Sequence, residues 1–404
     1  MGTLQTAIRE GRGSRAGDSG TQWDNGTATD AAKCGETMRT AALVLLTITS
    51  LVPIARAQSS FHVGVANRTF LGRDASYDWR GAKTHALVTT IWYPADAGAV
   101  ETEQGVGDPA HPFASAGRAA RDAGLASAPA KFSLILLSHG TGGSALMMAW
   151  LGTELAAHGY IAVAVNHPGN NAVDGYTVQG FTLGWERAVD LSRVLDGMLA
   201  DERFGPRIDA GRVGAAGFSL GGYTMMVLAG AVAVPFDLEK LEQECVEGKV
   251  WDLMCYSPPE FPGLTAKAIA LAKTDAGYRA ALQESAVSHG DARVRAVFAI
   301  APVDIRLTAE SLGRISIPVE IVAGAGDPIV APKANAEVLA REIPGAKLTI
   351  YPGGVGHYTF LDTCGALGRQ ESAGFCVDAA GVDRDAIHVE AARQAITFFG
   401  ESLR

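Results

Sequence analysis

Arg212-Val213-Gly214-Ala215-Ala216-Gly217-Phe218-Ser219-Leu220-Gly221-Gly222-Tyr223-Thr224-Met225-Met226 is the stretch that decides the fold. It opens as a run of small apolar residues suited to a fully buried strand. It then turns sharply through Gly217-x-Ser219-x-Gly221 and continues as a helix-like run from Tyr223 to Ala229. A serine raised on a strained strand-to-helix turn needs almost no side chain two residues to either side, and glycine meets that need. The following helix would aim its N-terminal N–H groups at negative charge formed beside the serine. Glycine is abundant here, 48 of 404 residues, so the pentapeptide by itself also fits a glycine-rich turn with a buried serine. Flanks and partners must decide.

Downstream, Val294–Pro302 and Val319–Gly324 read as strands, and the second leads into Ala325-Gly326-Asp327-Pro328. A helix over Pro332–Glu342 precedes a last strand, Lys347–Tyr351, and then Pro352-Gly353-Gly354-Val355-Gly356-His357-Tyr358. The order Ser219, Asp327, His357 is one in which a base deprotonates a weakly nucleophilic hydroxyl while a carboxylate fixes the imidazole tautomer. Asp304, after the preceding strand, is a rival acid, though it reads better as a helix cap or surface residue. His167 and His388 are rival bases; the second falls on the final helix, Arg384–Leu403.

Upstream, residues 61–70, Thr84–Tyr93, Phe132–Leu137 and Tyr160–Val165 read as strands, with helices over Ala145–His158 and Trp185–Asp201. Residues 96–131, rich in Ala, Gly, Asp and Pro, read as a long surface excursion. Strands alternating with helices predict a mostly parallel sheet covered on both faces. Gly140-Thr141-Gly142-Gly143-Ser144-Ala145 fits a dinucleotide fingerprint, but the next strand ends in Asn166-His167 where an acidic residue is wanted. The loop fits better as an oxyanion loop, with the Thr141 N–H paired to the Leu220 N–H after the serine. His139 then braces the loop. Residues 233–291 interrupt the alternation with helices at 236–250 and Thr265–Leu282; they read as a cap over the strand ends, or as a side decoration.

At the amino end, residues 1–37 lack apolar periodicity and read as a disordered upstream extension. Met38-Arg39-Thr40, an apolar core and Ala55-Arg56-Ala57 make residues 38–57 a secretory signal peptide, with a retained anchor as the alternative. That core is shorter than the roughly 20 residues a membrane span needs, so no stable membrane insertion is expected after cleavage, and residues 58–404 are expected to form one domain. Residues 1–57 hold six basic and five acidic residues, so the remainder carries about −10. Such a balance speaks against nucleic acid or an anionic membrane as partner. Cys245, Cys255, Cys364 and Cys376 are an even set in an exported chain. Proximity favours Cys245–Cys255 and Cys364–Cys376 among three possible pairings. Neither C-x-x-C nor H-E-x-x-H occurs, so no zinc site is expected.

The signal peptide, Thr90-Ile91-Trp92-Tyr93-Pro94, Ser138-His139-Gly140-Thr141-Gly142-Gly143, the segment around Ser219 and Gly353-Gly354-Val355-Gly356-His357-Tyr358 together resemble exported bacterial α/β-hydrolases of the "predicted dienelactone hydrolase" group. That group is similar to platelet-activating factor acetylhydrolase. The resemblance covers most of residues 60–400 and implies an eight-stranded α/β-hydrolase fold and ester hydrolysis through an acyl-enzyme. True dienelactone hydrolase has a cysteine where this chain has Ser219, so lactone specificity does not carry over. In the acetylhydrolase the acid follows the strand matching 294–302; the corresponding position here is near Ala301, which favours Asp327. The expectation is a periplasmic or secreted serine esterase, without cofactor, acting on small or lipid-like esters. A peptidase or amidase with the same triad, and a catalytically silent binding protein, are the alternatives.

Overall fold

The computed structural model describes residues 61–71, 81, 86–235, 237–247, 258 and 260–404. Its sheet has ten strands: β1 (His62–Leu71), β2 (Ala86–Ala95), β3 (Thr102–Asp108), β4 (His111–Arg121), β5 (Phe132–Ser138), β6 (Tyr160–Val165), β7 (Ile208–Phe218), β8 (Val294–Ile300), β9 (Val319–Gly324) and β10 (Lys347–Tyr351). Across the sheet they lie β10-β9-β8-β7-β5-β6-β2-β1-β4-β3. The six from β10 to β6 are parallel, and β2 runs antiparallel to both β6 and β1. The eight apolar runs expected as strands are all present.

The expected surface excursion at 96–131 is corrected. It contains the antiparallel hairpin β3–β4, which joins β1 in parallel at Gly64–Ala120 and Val65–Arg121. Thr102-Glu103-Gln104-Gly105-Val106-Gly107-Asp108 has charge and glycine but little apolar alternation, because this edge strand buries neither face.

Alternation in β5 sorts the core into two layers. Leu134 and Leu136 face α2 (Glu186–Ala200) and α3 (Leu220–Leu228) on one side of the sheet, introduced after α1 (Ala149–Ala157) in the chain. Ile135 and Leu137 face α1 and the last helix on the other side. Each of these leucines is fully buried, a contribution of about 2 kcal/mol apiece by area. The 233–291 insertion carries α4 (Leu238–Val246), α5 (Leu264–Thr274) and α6 (Ala276–Gln283); α7 (Ala336–Glu342) and α8 (Arg384–Ser402) lie further on, and shorter helical turns occur at Val178–Thr182, Ala309–Leu312, Ala366–Glu371 and Ala373–Cys376. The single helix expected over Thr265–Leu282 is broken at Asp275, whose carboxylate caps α6 by accepting the Tyr278 N–H at 3.0 Å. The helix expected from Ala145 begins as a 3-10 turn, Ala145–Met148.

Residues 1–57, Cys255 and the Cys245 side chain lie outside the described residues, so the signal peptide and the Cys245–Cys255 pair do too. Among the described residues no helix is long and apolar enough to cross a membrane.

Candidate active site

Ser219 sits between β7 and α3 with φ 56° and ψ −114°, a left-side conformation that costs a non-glycine residue about 1–3 kcal/mol. Main-chain bonds hold it there: its N–H donates to Ile300 O at 2.8 Å, and its carbonyl accepts from Gly222 N at 2.8 Å. The flanking glycines are obligatory. A Cβ on Gly217 would lie 2.3 Å from Gly221 O, and one on Gly221 would lie 2.0 Å from Ser138 O. The turn therefore exists only because both positions are bare.

Asp327 and His357 come from loops after β9 and β10, and the two loops are joined through main-chain bonds. Ala325 N donates to Tyr351 O at 2.8 Å, and Gly326 N to Val355 O at 2.9 Å. This brings His357 Nδ1 to 2.7 Å from Asp327 Oδ2 and His357 Nε2 to 2.9 Å from Ser219 Oγ. Asp327 Oδ1 also accepts the amides of Ile329 (2.8 Å) and Val330 (2.7 Å), which fixes the carboxylate plane. With the proton on Nδ1, the Nε2 lone pair faces the Ser219 hydroxyl. All three side chains are buried.

The rivals fall away on geometry. Asp304 is half-buried in the turn after β8, where it accepts the Leu307 N–H at 3.2 Å; it is neither a helix cap nor a partner of His357. Burial pushes its carboxyl above the usual range. His388, on α8, stacks on Trp150 at 4.5 Å and donates from Nε2 to Thr359 O at 2.9 Å. His167 belongs to a different, fully buried array: Nδ1 meets Asp190 Oδ2 at 2.8 Å and Nε2 meets Ser138 Oγ at 3.0 Å. His139 Nε2 accepts the His167 N–H, so its Nδ1 carries the proton and donates to Gly140 O at 2.6 Å. Burial first, then the Arg187 charge, keeps that imidazole neutral well below its ordinary range.

The loop after β5 is braced on several sides. Asn170 Oδ1 accepts Gly142 N at 2.8 Å, Asn166 Oδ1 accepts Ala145 N at 2.7 Å, and the Tyr176 hydroxyl donates to Gly142 O at 3.0 Å. Among the described residues, neither Thr141 N–H nor Leu220 N–H has a protein acceptor. The sequence reading missed Arg187, Asp190, Asn166 and Asn170 as supports. Their only signal was a pair of charges, Arg187 and Asp190, on the side of α2 that buries Leu191 and Val194.

A cavity of about 410 Å³ opens on Ser219 and His357. Phe113, Phe218, Leu361 and Phe375 make much of its wall, and Pro258 and Glu260 of the 233–291 insertion also line it. Its wall also takes in Cys364, which is bonded to Cys376. Among the described residues no group of His, Cys, Asp and Glu is placed to hold a metal ion.

Residues 134–367 match the family profile described as "Alpha/beta hydrolase family". Among curated proteins, no sequence matches the chain. Among solved structures, the chain is similar to a ferulic acid esterase from Streptomyces cinnamoneus, with a TM-score of 0.59 and 20% identity, covering 87% of this chain and 93% of that one. At that identity the likeness speaks for the fold: a mostly parallel mixed sheet with helices on both faces.

Proposed function

Because the chain belongs to the alpha/beta hydrolase family, we propose that it is a serine-dependent carboxylic ester hydrolase acting on small or lipid-like esters. Ser219 Oγ attacks the acyl carbonyl as His357 Nε2 takes its proton, and Asp327 steadies the imidazolium that forms. The N–H groups of Thr141 and Leu220 receive the oxyanion. Collapse expels the alcohol, which takes the proton from His357, and a water then attacks the acyl-enzyme with His357 as base. The observation that supports this best is the unbroken line from Asp327 through both ring nitrogens of His357 to Ser219. Within the family, we propose a kinship with the predicted dienelactone hydrolase group, on the resemblance of the motifs quoted above. The Cys364–Cys376 bond agrees with export to an oxidising compartment after cleavage before Gln58.

The test is labelling by a fluorophosphonate together with turnover of p-nitrophenyl esters of rising chain length, aryl esters and aminoacyl anilides. Aryl esters belong in the panel because the fold neighbour is a ferulic acid esterase and the cavity has aromatic walls. Ser219→Ala should abolish labelling and lower ester turnover by about 10⁴-fold or more. Labelling that survives in the variant would place the nucleophile elsewhere, and faster anilide than ester turnover would make the enzyme an amidase.

A further inference from the structure

Arg187, in the first turn of α2, is a cation with no exposed surface. Its guanidinium reaches three separate supports. Nη2 donates to the His139 carbonyl and, at 3.2 Å, to Ser138 Oγ, at the root of the loop that carries Thr141. Nη1 lies 3.5 Å from Asn170 Oδ1, the same oxygen that accepts the Gly142 N–H on the other side of Thr141. Nε donates at 3.2 Å to Thr224 Oγ1, and that hydroxyl donates at 2.9 Å to the Leu220 carbonyl. The two amides assigned to the oxyanion thus stand on different elements, and one rigid fork touches the support of each.

Beside it, His167 Nδ1 lies 2.8 Å from Asp190 Oδ2 and His167 Nε2 3.0 Å from Ser138 Oγ, and the Ser138 oxygen accepts from Arg187. This array repeats the residue types of the Ser219 site but has no exposed surface through which to meet a substrate.

We propose that Arg187 is a positioning residue for the oxyanion site, holding the Thr141 and Leu220 N–H groups in register with each other. The inference rests on the ester-hydrolase reading above. Five donors in a fixed plane serve several acceptors at once, which a lysine ammonium on a flexible stem does not. Misalignment should weaken binding of the tetrahedral intermediate more than binding of the ester.

The experiment compares wild type, Arg187→Lys, Thr224→Val and the double variant. It reads kcat and KM per fluorophosphonate-titrated site, the inhibition constant of an aryl trifluoromethyl ketone, and melting temperature. Arg187→Lys should lower kcat by roughly 10- to 100-fold with KM within about twofold, and weaken the ketone by a similar factor. Thr224→Val should lower kcat several-fold, and the double variant should fall no further than Arg187→Lys, because both break one connection. A loss of melting temperature with unchanged kcat per titrated site and unchanged ketone affinity would overturn the proposal. Should Arg187→Lys fail to fold, Thr224→Val decides: full kcat there overturns it. A wild type with neither labelling nor turnover brings down the ester-hydrolase reading and this inference with it, whereas an active wild type with unaltered variants brings down the inference alone.

Discussion

Asp327 and Asp304 differ in what surrounds an identical side chain. Asp327 accepts two backbone amides on one oxygen and the His357 ring on the other, whereas Asp304 accepts a single turn amide at 3.2 Å. Asp327→Asn would present an amide where the Nδ1–H donates, favouring the tautomer with its proton on Nε2. Turnover should fall by up to about 10⁴-fold, while Asp304→Asn should change it little. Steady-state rates on one ester rank the two, and the reverse ranking would hand the role to Asp304. The alignment of Ser219, His357 and Asp327 was legible because the proposed chemistry demands particular residue types and β-strand ends supply fixed places for them. Arg187 and Asp190 were not. On an amphipathic helix a charge is ordinarily read as facing water, and only the fold shows that this pair is buried against the loop after β5.

At the scale of elements, the loop bearing His357 is held by α1 and α8. Trp150 Nε1 donates to Phe360 O at 3.0 Å, Trp150 N donates to Asp362 Oδ1 at 3.2 Å, and His388 both stacks on Trp150 and donates to Thr359 O. Burial pushes the His388 pKa from 6.5 down to about 4. Folded, the imidazole stays neutral to about pH 4; unfolded, it takes a proton near 6.5. Its contribution is therefore complete above pH 6.5 and is lost as pH falls toward 4, by about 1.4 kcal/mol per pH unit and roughly 3 kcal/mol in all. His388→Gln should flatten the stability profile between pH 6.5 and 4, measured by denaturant melts at each pH. An unchanged slope would show that protonation of His388 does not drive acid destabilisation. The Asp362 carboxyl, raised well above its ordinary range mainly by burial, acts in the opposite sense and is common to both proteins. The eight apolar strands were legible from composition, whereas β3–β4 was not, since an edge hairpin with exposed faces carries no such pattern. Yet β4 joins the disulfide segment through Ser115 N to Thr363 O and Gly365 N to Phe113 O, and the hairpin gives Val106, Phe113 and Ala114 to the cavity.

For the whole molecule, charge and cavity point to one substrate preference. The chain carries −9 overall, and no lysine or arginine is among the described residues lining the cavity at Ser219. Its wall holds two acids instead, Glu260 and Asp362, each with one buried oxygen that has no hydrogen-bond partner among the described residues. A carboxylate on the substrate would leave water for an apolar space with no cation to meet it, and Glu260 would repel it. We therefore expect neutral esters to be preferred. A p-nitrophenyl valerate and a p-nitrophenyl hemiglutarate have acyl chains of similar length, one ending in methyl and the other in carboxylate. The neutral ester should have a kcat/KM higher by at least about tenfold, the equivalent of roughly 1.4 kcal/mol. Long-range repulsion by the net charge fades in salt, whereas a desolvation cost inside the cavity does not. Most of the preference should therefore survive 0.5 M salt, and Glu260→Gln should narrow it. Equal rates for the two esters, or a preference abolished by salt, would show that the acyl group stays in solvent and does not enter the cavity.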